Sequence, residues 1–223
     1  MELDPPYLVP DYGSTHLRAP REALVAVPAG LLDVPGPLIP AGFVAERESD
    51  LTAHGKSAPQ GEKIVVAGRL LDADGRPVRR SLVEVWQTNA AGRYAHPGDT
   101  HDAPLDPNFV GIGRTFTDDD GWYRFVTIKP GAYPWRNHAF AWRPQHIHFS
   151  LLGNAPVQRL VTQMYFPGDP LLALDPVFNS VPGPAARERM VAALELRTGI
   201  EGIALGYRFD IVLAGAKSTP LEA

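Results

Sequence analysis

The sequence predicts a mostly β fold: a β-sandwich with long loops, a proline-rich N-terminal arm and a short C-terminal helix. Three observations lead there. Short runs rich in β-branched residues recur, among them I-V-V-A-G-R-L-L-D, S-L-V-E-V-W-Q-T-N and V-Q-R-L-V-T-Q-M-Y-F, and such runs suit a pleated, half-buried surface. Turn formers separate them, since the 23 prolines and 21 glycines exceed ordinary usage. Apolar residues stay plentiful and the formal net charge is only -4, which sets the chain apart from disordered sequences rich in proline and glycine. A chain of 223 residues can build one sizeable core, and sandwiches often reach this length as a single domain.

Residues 1–62 form the arm, which lacks periodicity. Its apolar side chains at Leu24, Val25, Val27, Leu31, Leu32, Leu38, Ile39 and Phe43 favour packing against the domain or another subunit. A short helical turn is expected over 21–27. The sandwich domain is placed at 63–215. Its first run, I-V-V-A-G-R-L-L-D, leads through A-D-G-R-P into S-L-V-E-V-W-Q-T-N, which reads as a hairpin with a tight Asp-Gly turn. The segment G-R-T-F-T-D-D-D-G-W-Y-R-F-V-T-I repeats the design. Asp118, Asp119 and Asp120 at its tip invite a calcium reading, but no further acidic ligands follow at loop spacing, so a solvated turn is the simpler account. Between the two lie about twenty loop-like residues, and loops of that length inside a compact domain are commonly functional. Further on, P-Q-H-I-H-F-S-L-L and V-Q-R-L-V-T-Q-M-Y-F read as strands, and P-A-A-R-E-R-M-V-A-A-L-E-L-R as the clearest helix, with Met190, Val191 and Leu194 on its apolar stripe. G-I-A-L-G-Y-R-F-D-I-V-L-A reads as a closing strand, and 216–223 as a polar, mobile tail.

The run from 131 to 149, G-A-Y-P-W-R-N-H-A-F-A-W-R-P-Q-H-I-H-F, is the densest in aromatic, cationic and imidazole side chains. On a strand, His146 and His148 share one face and Ile147 takes the other. Such a pair is half of a metal site, or else part of a polar strand face. Its neighbours Tyr133, Trp135, Arg136, Trp142 and Arg143 add more aromatic surface than a loop without a partner usually exposes. Tyr94, after G-R at the end of the second predicted strand, would by itself pass as a core or rim tyrosine.

Composition removes several classes of function. With no cysteine there is no disulfide and no thiolate site, so a metal would need His, carboxylate or phenolate. No apolar run approaches the roughly 20 residues that span a bilayer, and no secretory leader is evident, which points to the cytoplasm. A mildly acidic balance without a basic block gives no support to nucleic-acid binding.

From about Tyr7 to Leu213 the chain resembles the intradiol ring-cleaving dioxygenases. The motifs are V-E-V-W-Q-T-N-A-A-G-R-Y, A-P-L-D-P-N-F, T-I-K-P-G-A-Y-P-W-R-N, W-R-P-Q-H-I-H-F and Y-R-F-D-I-V-L, in that order. The likeness is greatest to the iron-bearing β-type subunits of members that act on protocatechuate, a carboxylated catechol. It implies a non-haem Fe(III) held by Tyr94, Tyr133, His146 and His148, a residue set that the α-type subunits lack in part. It also implies cleavage of the ring by O2 to a cis,cis-muconate within the β-ketoadipate pathway, and an α-subunit partner in a higher αβ oligomer. Two phenolates make a hard, anionic environment suited to Fe(III), and a trivalent cation readily takes the place of a phenol proton. In the mechanism so implied, the catechol displaces Tyr133 from iron and Arg143 stabilises charge developing on the ring; a structural salt bridge is the other role open to Arg143. Tyr12, Trp135, Gln163 and Val177 match substrate-pocket positions. Ala95 stands where some relatives carry a basic side chain.

Three other readings stay open. A catechol or hydroxyquinol dioxygenase would use the same ligands, but those relatives usually have a helical N-terminal segment in place of this proline-rich arm. A metal-free transthyretin-like binding module would share the strand pattern and give colourless protein. A zinc hydrolase is disfavoured because tyrosine is a poor zinc ligand and no general base is spaced as expected.

Overall fold

The computed structural model describes residues 4–26, 28, 30, 39, 42–138, 141–152 and 159–222. Two open sheets face each other across one core, as the mostly β reading requires. In the first sheet β1 (Lys63–Leu71) is flanked on one side by antiparallel β4 (Trp122–Ile128). Along its other side run β10 (Leu205–Arg208) and then β11 (Ile211–Val212), both parallel to it, with β9 (Ala193–Leu194) outside β10. The second sheet has the order β3 (Ile112–Phe116), β2 (Leu82–Trp86), β7 (His146–Leu152), β8 (Arg159–Tyr165), all antiparallel. A small ladder, β5 (Tyr133–Pro134) with β6 (Trp142–Arg143), stands apart.

The core lies between the sheets. Ile64, Val66 and Leu70 come from β1, Tyr123 and Phe125 from β4, Val83 and Val85 from β2, and Ile147, Phe149 and Leu151 from β7. Phe149 sits among aromatic rings, with centroids 5.8 Å from Tyr123, 5.9 Å from Phe125 and 5.3 Å from Phe209. The predicted closing strand is broken into β10 and β11 at Phe209. There Gly68 allows a close approach, because a Cβ at this position would meet the Phe209 carbonyl oxygen at 1.8 Å.

Both segments expected to be hairpins are crossings between sheets. β1 and β2 belong to different sheets, as do β3 and β4. After β1 only one bridge forms, Leu71 with Pro77, and Pro77 has no N–H with which to extend the ladder. Arg80, at φ 50°, then turns the chain away. The second crossing follows because Thr117 is engaged by the 78–81 segment: its hydroxyl donates to the Val78 carbonyl at 2.7 Å and accepts from the Ser81 N–H at 2.9 Å.

Three further expectations are corrected. The helix expected over 184–197 stops at Glu188, giving α3 (Pro184–Glu188). Tyr165 of β8 captures the next segment, its N–H donating to the Met190 carbonyl at 2.8 Å and its carbonyl accepting from Ala192 at 2.9 Å. The arm has no helix at the described residues of 21–27; the one α-helix among its described residues is α1 (Thr15–Arg18), where the Thr15 hydroxyl donates to the Tyr12 carbonyl at 2.8 Å. Leu24, Val25 and Phe43 are exposed, whereas Val27, Leu31, Leu32 and Leu38 lie outside the described residues. The tail is docked along the edge of β8: Thr219 is buried, the Glu222 N–H donates to the Val161 carbonyl at 2.8 Å, and the Thr162 hydroxyl donates to the Pro220 carbonyl at 2.7 Å. Among the described residues no helix is long and apolar enough to cross a membrane.

Candidate metal centre

Strand alternation builds one half of the site. Ile147, Phe149 and Leu151 enter the core, so His146 and His148 project from the opposite face of the second sheet. Their cross-strand neighbours there are Tyr165 opposite His146, and Trp86 and Gln163 on either side of His148. The β5–β6 ladder supplies the other half by setting Tyr133 opposite Arg143. Tyr94 follows a loop organised by Asn89, whose side-chain oxygen accepts from the N–H groups of Ala91 and Arg93, both at 3.0 Å. Gly92 closes this loop at φ 80°, and a Cβ there would lie 2.1 Å from the Ala132 carbonyl oxygen. The loop ending at Tyr94 thus lies flat on the segment that carries Tyr133.

The four expected ligands come together. Tyr94 Oη lies 3.0 Å from His148 Nε2, and Tyr133 Oη lies 3.5 Å from His146 Nε2. Ring centroids are 5.6 Å apart for the two tyrosines and 4.8 Å for the two histidines. The outer ring nitrogens are engaged as well. His146 Nδ1 donates to the Pro144 carbonyl at 2.6 Å and His148 Nδ1 to Glu222 Oε2 at 2.9 Å. In that tautomer both Nε2 lone pairs face the phenol oxygens.

The electrostatics keep the two phenols and His146 neutral. Burial, reinforced by the neighbouring Tyr133, holds the Tyr94 phenol well above its ordinary pKa. Burial likewise raises Tyr133, against the opposing pull of Arg143. Burial, then the Arg143 charge and His148, pushes His146 well below the usual imidazole range. Burial works against the Glu222 carboxylate, but His148 and Gln163 draw it below the usual carboxylate range.

Arg143 lies beside the tetrad in a buried network. Its Nε donates to Asp175 Oδ1 at 2.8 Å, and its Nη2 to Gln163 Oε1 at 2.5 Å and Tyr165 Oη at 3.3 Å. Burial disfavours its charge, yet Tyr165 and Asp175 more than offset this and hold its pKa above the ordinary value. The guanidinium also faces the Trp135 ring at 5.2 Å.

A cleft of about 1080 Å³ opens over the tetrad, lined by Tyr94, Ala95, Tyr133, Trp135, Trp142 and Trp86 among others. Of the residues expected to hold a substrate, Trp135 lines this cleft and Tyr12 packs edge-on against it, centroids 4.5 Å apart. Gln163 and Val177 are buried outside the lining, Gln163 beneath Arg143 and Val177 in α2 (Pro176–Ser180).

These residues fit a hard, highly charged cation. Among the described residues no group of three or more His, Cys, Asp or Glu is placed to hold a metal, so an ion here would draw on the phenols. Each of the two phenol oxygens lies within hydrogen-bond distance of one imidazole nitrogen, and the outer nitrogens are already oriented by acceptors. A phenol this reluctant to ionise loses its proton readily only to a strong Lewis acid.

Sequence reasoning missed Asp175, Tyr165, Trp86 and Glu222. Trp86 stacks on His148 with centroids 4.8 Å apart and planes 6° from parallel. Period-two alternation could have found Tyr165, which shares a face with Gln163 on β8. Asp175 had a local signal as the residue before Pro176, where it caps α2 by accepting from the Phe178 N–H at 3.1 Å. Nothing local marks Glu222.

A family model described as Dioxygenase matches residues 34–215, and one described as Protocatechuate 3,4-dioxygenase beta subunit N terminal matches residues 5–29. The chain is 56% identical to the protocatechuate 3,4-dioxygenase beta chain of Burkholderia cepacia, over 98% of its own length and 93% of that protein's. It is 32% identical to a protocatechuate 3,4-dioxygenase alpha chain of Pseudomonas putida, over 82% and 90% of the two lengths. In three dimensions it is similar to the dioxygenase domain of a dioxygenase and carbohydrate-binding fusion from Streptomyces sp. SirexAA-E, with a TM-score of 0.53 at 28% identity, covering 82% of this chain and 99% of that one.

Proposed function

The chain belongs to the intradiol dioxygenase family, and from that premise we propose that it is a β-type subunit that opens protocatechuate with O2 to 3-carboxy-cis,cis-muconate at a non-haem Fe(III). The observation that supports this best is the meeting of Tyr94, Tyr133, His146 and His148 at the base of the aromatic cleft. Those four residues would hold the ion. When bound, it would supply Lewis acidity and a template for the catechol oxygens, making the ring vulnerable to O2.

The chain's own residues do the rest. Tyr133 faces both the cleft and the tetrad, so as a phenolate its Oη is placed to take one proton from an incoming catechol hydroxyl. Arg143 brings a permanent positive charge next to Tyr133 in a site closed to water on that side, where it favours anionic character on the ring. Trp135, braced by Tyr12, provides an apolar wall for the aromatic substrate. Gln163 acts through Arg143, and Val177 packs the helix that Asp175 caps.

An α-type partner completes the assembly, and the enzyme serves the β-ketoadipate route of aromatic breakdown in the cytoplasm. The arm favours protocatechuate over catechol or hydroxyquinol, since residues 5–29 match the N-terminal model of protocatechuate 3,4-dioxygenase beta subunits. The test uses iron-loaded protein purified with an α-type partner. Anaerobic protocatechuate should shift a visible tyrosinate-to-iron band, and admission of air should then consume the substrate absorbance. Iron-loaded protein without such a band, or faster turnover of catechol or hydroxyquinol, would overturn the reading.

A further inference from the structure

We infer that Glu222 is a positioning residue for the metal centre, fixing the tautomer and aim of His148, so that the segment 215–222 is a working part of the site. This rests on the reading of His148 as a ligand. The two histidines are held in different ways. His146 Nδ1 is secured by a carbonyl two residues away, at Pro144, so the strand that carries this imidazole also orients it. His148 Nδ1 is secured by a carboxylate from 74 residues further along the chain. The His148 ring is clamped on its face by Trp86 and at its edge by Glu222 Oε2, with side-chain exposures of 9% for His148 and 16% for Glu222.

The segment that presents this carboxylate is built in. The Thr219 N–H donates to the Val212 carbonyl at 2.9 Å, and the Val212 N–H returns to the Thr219 hydroxyl at 3.1 Å. Arg189 Nε donates to the Ser218 carbonyl at 2.8 Å, and Leu221 packs against the main core. The Leu221 N–H donates to Asp4 Oδ1 at 2.9 Å, so the N-terminal arm fastens the segment from outside. A loose polar tail would not be anchored from β11, β8, the residue after α3 and the arm at once.

A carboxylate does more here than a carbonyl. It locks Nδ1 as the protonated nitrogen, leaves the Nε2 lone pair toward Tyr94, and makes the imidazole a stronger donor. Loss of such a partner typically weakens metal binding about 10- to 100-fold.

The experiment compares the wild type with Glu222→Ala and Glu222→Gln in the complex with the α-type partner. Nitrogen-15 NMR of the metal-free protein reads the His148 tautomer, excess EDTA reads iron loss, and the visible band reads the ligand field. The wild type should show Nδ1–H at His148. Glu222→Ala should show mixed tautomers, a displaced band and iron loss faster by about 10- to 100-fold. Glu222→Gln keeps an acceptor without charge and should retain the tautomer while losing iron at an intermediate rate. An Nε2–H tautomer in the wild type, or either variant matching the wild type in iron loss and band position, overturns the inference. Because the wild-type tautomer is read without any variant, a substitution that fails to fold does not shelter it. Wild type that takes up no iron would instead sink the reading of His148 as a ligand.

Discussion

Replacing Asp175 by asparagine keeps its size and removes its charge at the most deeply buried ion pair described. The side chains of Arg143 and Asp175 are 3% and 0% exposed. The carboxylate accepts from Arg143 Nε at 2.8 Å and Nη2 at 3.5 Å, from Tyr165 Oη at 3.1 Å and from the Phe178 N–H at 3.1 Å. Asparagine caps a helix as well as aspartate does, so the start of α2 survives. What is lost is the counter-charge, and Arg143 cannot escape by giving up its proton. One amide hydrogen pair also comes to face donors. Removing one partner of a buried pair costs about 3–5 kcal/mol. For a chain of this size that lowers the melting midpoint by roughly 6–20 °C. Urea denaturation of the metal-free protein, followed by tryptophan fluorescence, measures the change. Asp74→Asn is the control, because the Arg76–Asp74 pair is 72% and 64% exposed and such pairs contribute about 0–1 kcal/mol. If Asp175→Asn unfolds within about 1 kcal/mol of Asp74→Asn, Arg143 is not neutralised in the way described.

Gly92→Ala forces a Cβ against the Ala132 carbonyl at a positive φ, and should cost at least about 1–3 kcal/mol and move the iron-loaded visible band, since Tyr94 and Tyr133 flank the clash. An unchanged melt and spectrum would refute the coupling of the two segments. Phe149→Ala empties the middle of the aromatic core and should cost about 3–5 kcal/mol by urea titration; a loss under about 2 kcal/mol would mean the core closes over the gap. Binding of Fe(III) near neutral pH should release about two protons per ion, because both phenols keep their protons below their raised pKa values while His146 is already neutral. Affinity should therefore rise with pH and fall toward acid. Calorimetry in buffers of different ionisation enthalpy counts the protons, and a count near zero would refute phenolate ligation.

The parts of the molecule that could be read in advance are those governed by local periodicity. His146 and His148 share a face because a strand repeats every two residues, and the same rule sends Ile147 and Phe149 inward. The sandwich class followed from β-branched runs and turn formers. Sheet membership did not, because an Asp-Gly turn has the same local composition whether its strands pair or part. The distinction lay in Pro77, which lacks a donor, and in Thr117, which bonds back to residues 78 and 81. The long helix expected from Met190, Val191 and Leu194 lost to a tertiary contact, as Tyr165 draws 190–192 alongside β8. Glu222 was hidden for a related reason. A single glutamate in a polar stretch has no pattern, and its meaning comes only from the imidazole it meets.

The placement of β1 bears on how the molecule is made. Its partners on one side begin at Leu205, about 140 positions later, and on the other at Trp122. During synthesis Ile64, Val65 and Val66 emerge from the ribosome long before any strand is available to cover them, and sequences of this kind fold slowly and aggregate readily. The carboxylate that meets His148 is translated later still, so a nascent chain offers metal an unfinished cradle until its distant end has docked. Expression at low temperature, with iron supplied after translation has ceased, should therefore yield more coloured protein than iron present throughout.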